Sequence, residues 1–283
     1  MRLIRYRYLL AGGAILMCFL LSAVCAPLIA PLGPDNGDMP FLPVSPSHPL
    51  GTNDMGDDIL NELVHAGRVS MSIGILAAVI SVFIGGGLGI LSGYFRGLGG
   101  ELFTGIIDVF LLIPMLPLMV VLAAYLGQSW WNIVLVISLL SWCSTARAVR
   151  AKVLQLRETV FVESLKGLGI GSRRILWHHM VPHVFDIISA KFVLAVAGAM
   201  LSESALSFIG LGDSASISWG MMIHYAFKRG GFSGGMWWWY LPPGLCIGSC
   251  ALGFILIGMH AEASHRMSRP NLHTVPLSGK HSI

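Results

Sequence analysis

Residues 69–94 read Val-Ser-Met-Ser-Ile-Gly-Ile-Leu-Ala-Ala-Val-Ile-Ser-Val-Phe-Ile-Gly-Gly-Gly-Leu-Gly-Ile-Leu-Ser-Gly-Tyr, with no charged side chain anywhere in the run. The hydrocarbon core of a bilayer is about 30 Å thick, and roughly 20 helical residues cross it. No water is available there to satisfy the peptide groups, so a segment of this length and composition must be a helix. Gly85, Gly89 and Gly93 recur every four residues, which places them on one face. Small residues there let a second helix approach closely in lipid, and packing is favoured over a role in a pore.

The rest of the 283-residue chain has the same character. Apolar residues make up 55% and charged residues 11%, with a mean hydropathy of +0.74. A soluble domain carries about 25% charged residues. The deficit excludes an ordinary cytosolic enzyme, a disordered chain and a disulfide-stapled secreted domain. Five further runs are long enough to span: 8–30, 102–126, 127–146, 184–211 and 236–259. The fold class is an all-α membrane protein with six transmembrane helices. In the third span, Pro114 and Pro117 should bend the helix, because each removes an N–H and frees a carbonyl. Arg2, Arg5 and Arg7 ahead of the first run resemble a signal peptide with a weak cleavage site at Val24-Cys25-Ala26. The run continues through Pro27 to Ala30, and it is read as an uncleaved span. All five cysteines (Cys18, Cys25, Cys143, Cys246, Cys250) lie in apolar runs, where packing is the simplest role.

Lys and Arg placement sets the orientation. With the N-terminus inside and six alternating spans, 14 of the 18 cations fall in inner segments and only Arg68, Lys228 and Arg229 in outer ones. That bias follows the positive-inside rule, so both termini are expected to be cytoplasmic. The chain divides into an N-terminal segment with the first span (1–30), an outer loop (31–68), a five-helix core (69–260) and a cytoplasmic tail (261–283). The core contains a large inner loop at 147–183. A second outer loop leads into Trp237-Trp238-Trp239-Tyr240, read as an aromatic belt at a membrane surface.

Hydrolytic chemistry is missing. The lone Gly279-Lys280 is followed by His281 and has no Gly five residues earlier, so it is no phosphate-binding loop. There is no HExxH pair and no GxSxG elbow. His178, His179 and His183 have a spacing compatible with metal, but in a basic loop they read as solvated or interfacial side chains. No cofactor is expected. Any energy source must be a partner or an ion gradient.

The inner loop is the most informative soluble stretch. Phe161, Leu165 and Leu168 fall at i, i+4 and i+7 and give a short helix one apolar face. Gly169 and Gly171 permit a turn. Ser172 is expected to cap a second helix that carries Arg173 and Arg174 and stops near Pro182. Such a helix suits either a partner's groove or the anionic inner leaflet, and composition alone does not choose.

Glu163, Gly169 and Pro182 also stand at the spacing of a known signature: a Glu, a Gly six residues on, and a Pro thirteen beyond that. In this respect the chain resembles the permease subunits of ABC importers, and in particular the dipeptide, oligopeptide and nickel branch. His48-Pro49-Leu50-Gly51-Thr52-Asn53-Asp54-Met55-Gly56-Asp57-Asp58 is similar to that branch's first outer-loop motif. Ala66-Gly67-Arg68-Val69-Ser70, Asp108 with Pro114, Glu203 to Gly212, and Ser218-Trp219-Gly220 match further motifs in order. The resemblance covers about residues 45 to 258. Ser164 and Leu165 replace two small alanines of the signature, Asp57 stands where Arg is usual, and a charged ending to the last span is missing.

The resemblance implies an inner-membrane subunit of a prokaryotic importer that works beside a second, homologous permease. Two cytoplasmic ATPases would bind the inner loops, and a periplasmic or extracellular solute-binding protein would deliver the cargo. No nucleic-acid partner is implied. The coupling residues would be Glu163, Ser164, Leu165, Gly167, Leu168, Gly169, Arg173, Arg174 and Pro182. Ionisable groups within spans cost roughly 2.5–3.5 kcal/mol to insert, so they mark pathways or pairs. Glu203 with Ser202 and Ser204, and then Asp108, are the candidates for a substrate path. A hydrogen bond fixing helix register is the alternative for Glu203, and structural pairing is the alternative for Asp108 and Asp186. Lys191 is expected to snorkel towards the inner face.

Two functions follow. The first is a permease subunit of an ATP-driven importer. The second is an ion-coupled secondary transporter with Glu203, Asp108 and Asp186 as relays, although no inverted repeat is visible. Ten His and fourteen Met tilt the cargo towards nickel or a metal chelate over a di- or oligopeptide. Only His48, His65 and His224 face outside, however, so the tilt is slight.

Overall fold

A computed structural model describes residues 2–30, 38–95 and 97–267. Residues 31–37 of the outer loop, Arg96, and the tail from residue 268, with Gly279-Lys280, lie outside the described residues. The described chain is helical: α1 (Arg2–Val24), α2 (Ala26–Ile29), α3 (Ile59–Tyr94), α4 (Leu98–Leu112), α5 (Met115–Leu126), α6 (Trp130–Arg157), α7 (Val160–Gly167), α8 (Ser172–Ile175), α9 (Val181–Phe208), α10 (Trp219–Lys228) and α11 (Trp237–Met267). Among the described residues five helical runs are long and apolar enough to cross a membrane, and the count is six if the bent pair of α4 and α5 forms one span. The chain is a multi-pass membrane protein.

The most extensive helix pairing is α3 with α6. A Cβ on Gly85 would run into the Trp142 carbonyl oxygen and one on Gly89 would lie 2.7 Å from the Ala146 oxygen. One on Gly93 would lie 2.8 Å from Val153 Cβ. The four-residue glycine repeat is therefore the track on which α6 rests. At Gly74 of the same helix a Cβ would collide with Met200 of α9, so α3 is the common support of both partners. Outside this core α1 lies along α11, with Gly12 against the Gly253 carbonyl.

Three elements differ from the sequence expectation, each for a local reason. Helix α3 starts at Ile59, ten residues before its apolar run, because the Asp58 carboxylate accepts from the N–H groups of Leu60 and Asn61. Its 36 residues reach about 54 Å, well beyond a hydrocarbon core. The third span does more than bend. Its halves meet at 88° around Ile113-Pro114, and Pro117 falls in the first turn of α5, where its missing N–H matters little. Pro182, in contrast, does not stop a helix. Residues 172–208 form one helical run that widens at Leu176–Met180, where the Val181 N–H donates to the Leu176 oxygen five residues back. The wide turn relieves the clash that the proline ring would otherwise make with the preceding turn.

Two smaller corrections belong here. The N-cap of α8 is Gly171, and Ser172 makes no side-chain cap. Of the Trp-Trp-Trp-Tyr group, only Trp237 is exposed, whereas Trp239 is buried against Gly231 and Phe41. Successive helical residues point about 100° apart, so the four rings cannot share one membrane-facing side.

Adjacent glycines give an internal control for the α3–α6 contact. A Cβ on Gly87 would meet nothing within 4 Å, because that flank of α3 is open. Gly89→Ala should lower the thermal unfolding midpoint of the detergent-purified protein, by an overpacking cost of about 1–3 kcal/mol. Gly87→Ala should leave it unchanged or raise it, since Ala is the better helix former.

Candidate functional site

The inner loop is fixed from below by apolar contact. Val162 of α7, Ile175 of α8 and Leu176, Met180 and Val184 beyond them cluster on Val149 and Val153 of α6. Helix α7 ends in a Schellman motif: the Gly169 N–H donates to the Lys166 oxygen, and the Ile170 N–H donates to the Leu165 oxygen. Gly169 sits at φ +76°, a conformation that only glycine adopts without cost. Gly171 has φ −61°, so it is not needed for its backbone. Leu165 and Ile170 both pack on the cluster, completing the motif's hydrophobic contact.

This anchoring leaves the opposite face of α7 bare. Glu163, Ser164, Gly167, Leu168, Gly169, Arg173, Arg174 and Pro182 are exposed, and of the expected coupling residues only Leu165 is half-buried. Phe161 and Leu168 are exposed at 55% and 78%, next to Val160 at 77%. The expected apolar face is thus divided, with Leu165 turned inward and Phe161 and Leu168 turned outward.

On the far side of the bundle, motifs that are distant in sequence meet around one carboxylate. Glu203 is completely buried. It accepts a 2.7 Å bond from the Ser207 hydroxyl and a longer one from Ser204, with Ser70 and Ser218 also in reach. Trp219 closes the group: its N–H donates to Ser70 Oγ and its indole N–H to the Leu63 oxygen. Gly67 makes room for the indole ring, and Gly220 lies against Ser204 and Ser207. Glu203 therefore ties α3, α9 and α10 together, as the register alternative requires. Nearby, Arg229 makes an ion pair with Asp54 and lies 4.3 Å over the Tyr225 ring, joining the end of α10 to the segment before α3.

A cavity of about 280 Å³ opens between α5, α6 and α9. From α9 it takes Lys191, Gly198 and Ser202, which share one helical face, and from α6 it takes Ser141, Ser144 and Thr145. The path candidates accordingly separate. Ser202 lines the cavity, whereas Glu203 and Ser204 do not, the latter bonding its hydroxyl to the Met200 oxygen. Asp108 is half-exposed on α4 and bonded at 2.7 Å to Arg147. Lys191 borders the cavity and pairs with Glu262 at 3.1 Å. The cavity hydroxyls of α6 stand at i, i+3 and i+4, a spacing visible in the sequence, but Ser138 falls three residues earlier and is buried away from the cavity, so the pattern alone does not single them out.

Comparison with known proteins adds an independent line. The family model described as the inner-membrane component of binding-protein-dependent transport systems matches residues 85–270. A protein of Brucella suis biovar 1 that carries the name peptide permease is 34% identical, over 91% of this chain and 87% of its own length. The dipeptide transport system permease protein DppC of Alkalihalophilus pseudofirmus is 32% identical, over 88% and 82%. The oligopeptide transport system permease protein OppC of Mycobacterium bovis is 34% identical, over 78% of each chain.

The geometry separates a structural carboxylate from a cavity hydroxyl. Glu203→Ala should destabilise the protein by about 1–3 kcal/mol, because it strands buried hydroxyl donors. Ser202→Ala should stay within about 0.5 kcal/mol. Thermal unfolding in detergent compares the two.

Proposed function

Because the chain belongs to the inner-membrane components of binding-protein-dependent transport systems, we propose that it forms one half of the translocation path of an ATP-driven importer of di- or oligopeptides. A second, homologous permease supplies the other half. A solute-binding protein delivers the peptide from outside, and two ATPases work from the cytoplasm. The bias of cations towards the inner loops supports cytoplasmic termini, with residues 31–68 outside and the tail from 261 inside.

The observation that carries this reading is the bare face of α7. An eight-residue helix is anchored on one side by Val162 and Leu165, closed by Gly169, and left with exposed apolar and basic side chains on the other. It is a rigid knob of a kind that fits a partner's groove. Force applied there passes through the cluster on Val149 and Val153 into α6, and through the continuous run into α9. Both of those helices line the cavity. ATP-driven closure of the partners would thereby bias the balance between inward- and outward-open states.

The relatives' names speak of peptides, dipeptides and oligopeptides, and they replace nickel or a metal chelate as the favoured cargo. The secondary-transporter reading is set aside. A relay through Glu203 and Asp108 needs a shared wet path, but one is sealed beneath Trp219 and the other is ion-paired on the exposed side of α4.

Deleting residues 163–169, or the substitution Gly169→Asp at the left-handed position, should abolish co-purification of the ATPases while the spans still insert. Full ATPase association after the deletion would refute the docking role. Reconstituted alone in proteoliposomes, the chain should show no gradient-driven uptake.

A further inference from the structure

We propose that Lys191 and the first turn of α5 form an anion subsite that receives the terminal carboxylate of the peptide as it crosses. The inference rests on the peptide-permease reading and adds a recognition element within the membrane path itself.

Two independent features point to it. Lys191 is the one ionisable side chain among the twelve residues lining the cavity between α5, α6 and α9. Its partner Glu262 comes from the end of α11 and is not among those twelve. The cavity wall therefore presents a cation and no acid. Its remaining polar groups are hydroxyls, which can donate to an oxyanion.

The second feature is the broken third span. Met115 and Leu116, the first two residues of α5, lie on the same cavity. The 88° break at Pro114 brings a helix start to the cavity in place of an uninterrupted helix flank. Pro114 and Pro117 carry no N–H, so this first turn offers the N–H groups of Met115 and Leu116, which have no intrahelical acceptor, and the aligned peptide dipoles leave partial positive charge there. Half-helix ends of this kind favour anionic groups within a membrane. A lysine and a helix start on one cavity reinforce each other, whereas a cation-binding site would need the opposite sign.

The Lys191–Glu262 pair gives the subsite its reversibility. The lysine side chain is 28% exposed, so an incoming carboxylate can reach it and compete with Glu262. When the peptide leaves, Glu262 takes the ammonium back. The site holds a carboxylate without trapping it, as a conducting path requires.

The test uses the complete transporter, with partner permease, ATPases and binding protein, reconstituted in proteoliposomes. Uptake of trialanine is compared with uptake of trialanine C-terminal amide at saturating binding protein. The binding protein is common to all variants, so a change in the acid-to-amide ratio reports on the permease. Lys191→Met should lower the ratio about tenfold, the loss expected for a charged hydrogen bond. Lys191→Arg should keep it within about twofold. Glu262→Gln should raise it, since the competitor for the ammonium is removed. An unchanged ratio in both Lys191→Met and Glu262→Gln would overturn the subsite while leaving the peptide permease intact. If the wild-type transporter takes up neither peptide, the peptide reading itself falls.

Discussion

The close approach of α3 to α6 is the contact on which the rest of the structure depends. In lipid the apolar surfaces of two helices gain little by meeting each other, so packing distance decides whether they associate. Gly85, Gly89 and Gly93 remove the side chains that would hold the backbones apart. With Trp142, Ala146, Val149 and Val153 committed to α3, the neighbouring face of α6 with Ser141 and Ser144 is left for the cavity. Helix α3 also receives Met200 of α9 at Gly74. The cavity is in this sense the space left over when two helices are clamped to a third.

Around that clamp the polar interior is economical. Its polar groups serve as joints, since Glu203 with its serines ties three helices and Arg229 with Asp54 ties the end of α10 to the segment before α3. Near the other end of the bundle the joining is chiefly apolar, supplemented by hydrogen bonds from the Tyr94 hydroxyl to the Ser172 oxygen and from Arg157 to the Gly93 oxygen. The valine-rich cluster seats the α7 loop on α6 and leaves its other face exposed. The contrast has a physical basis. A buried carboxylate demands fixed donors and so locks geometry, whereas apolar contact tolerates small sliding. The locked joint lies by α10 and the adaptable one by α7.

Much of this was legible in the sequence. Apolar runs of 20 residues or more with few or no charges admit few structures, so the candidate spans, the glycine track and the short helix around Glu163 could all be located. What escaped depended on where side chains point. Glu203 and Ser202 are neighbours in sequence, yet one is sealed into a helix junction and the other faces the cavity, because adjacent helical positions diverge by about 100°. Lys191 pairs with Glu262, seventy-one positions away, and local pattern cannot announce such a contact. Prolines misled in both directions. Pro114 coincides with a full break and Pro182 with none, and the difference lies in whether the surrounding helix can widen. The motifs around Gly67, Glu203 and Trp219 could be recognised singly, but only the fold reveals that they touch.

The widened turn at Leu176–Met180 has a consequence for the winding of the whole run. It holds one residue more than an α-helical turn would, and so absorbs that residue while the two sides keep their angular phase. Arg173 and Arg174 lie before it, and Lys191 through Ser202 after it. Loss of that surplus residue would let the turn close as an ordinary α-helical one and keep the two sides in phase, whereas loss of a residue elsewhere between Arg174 and Lys191 would rotate one side against the other by about 100°. In the second case either the basic pair or the lysine would change face, with none of them substituted. Residue count, more than residue identity, is the constrained property of this segment.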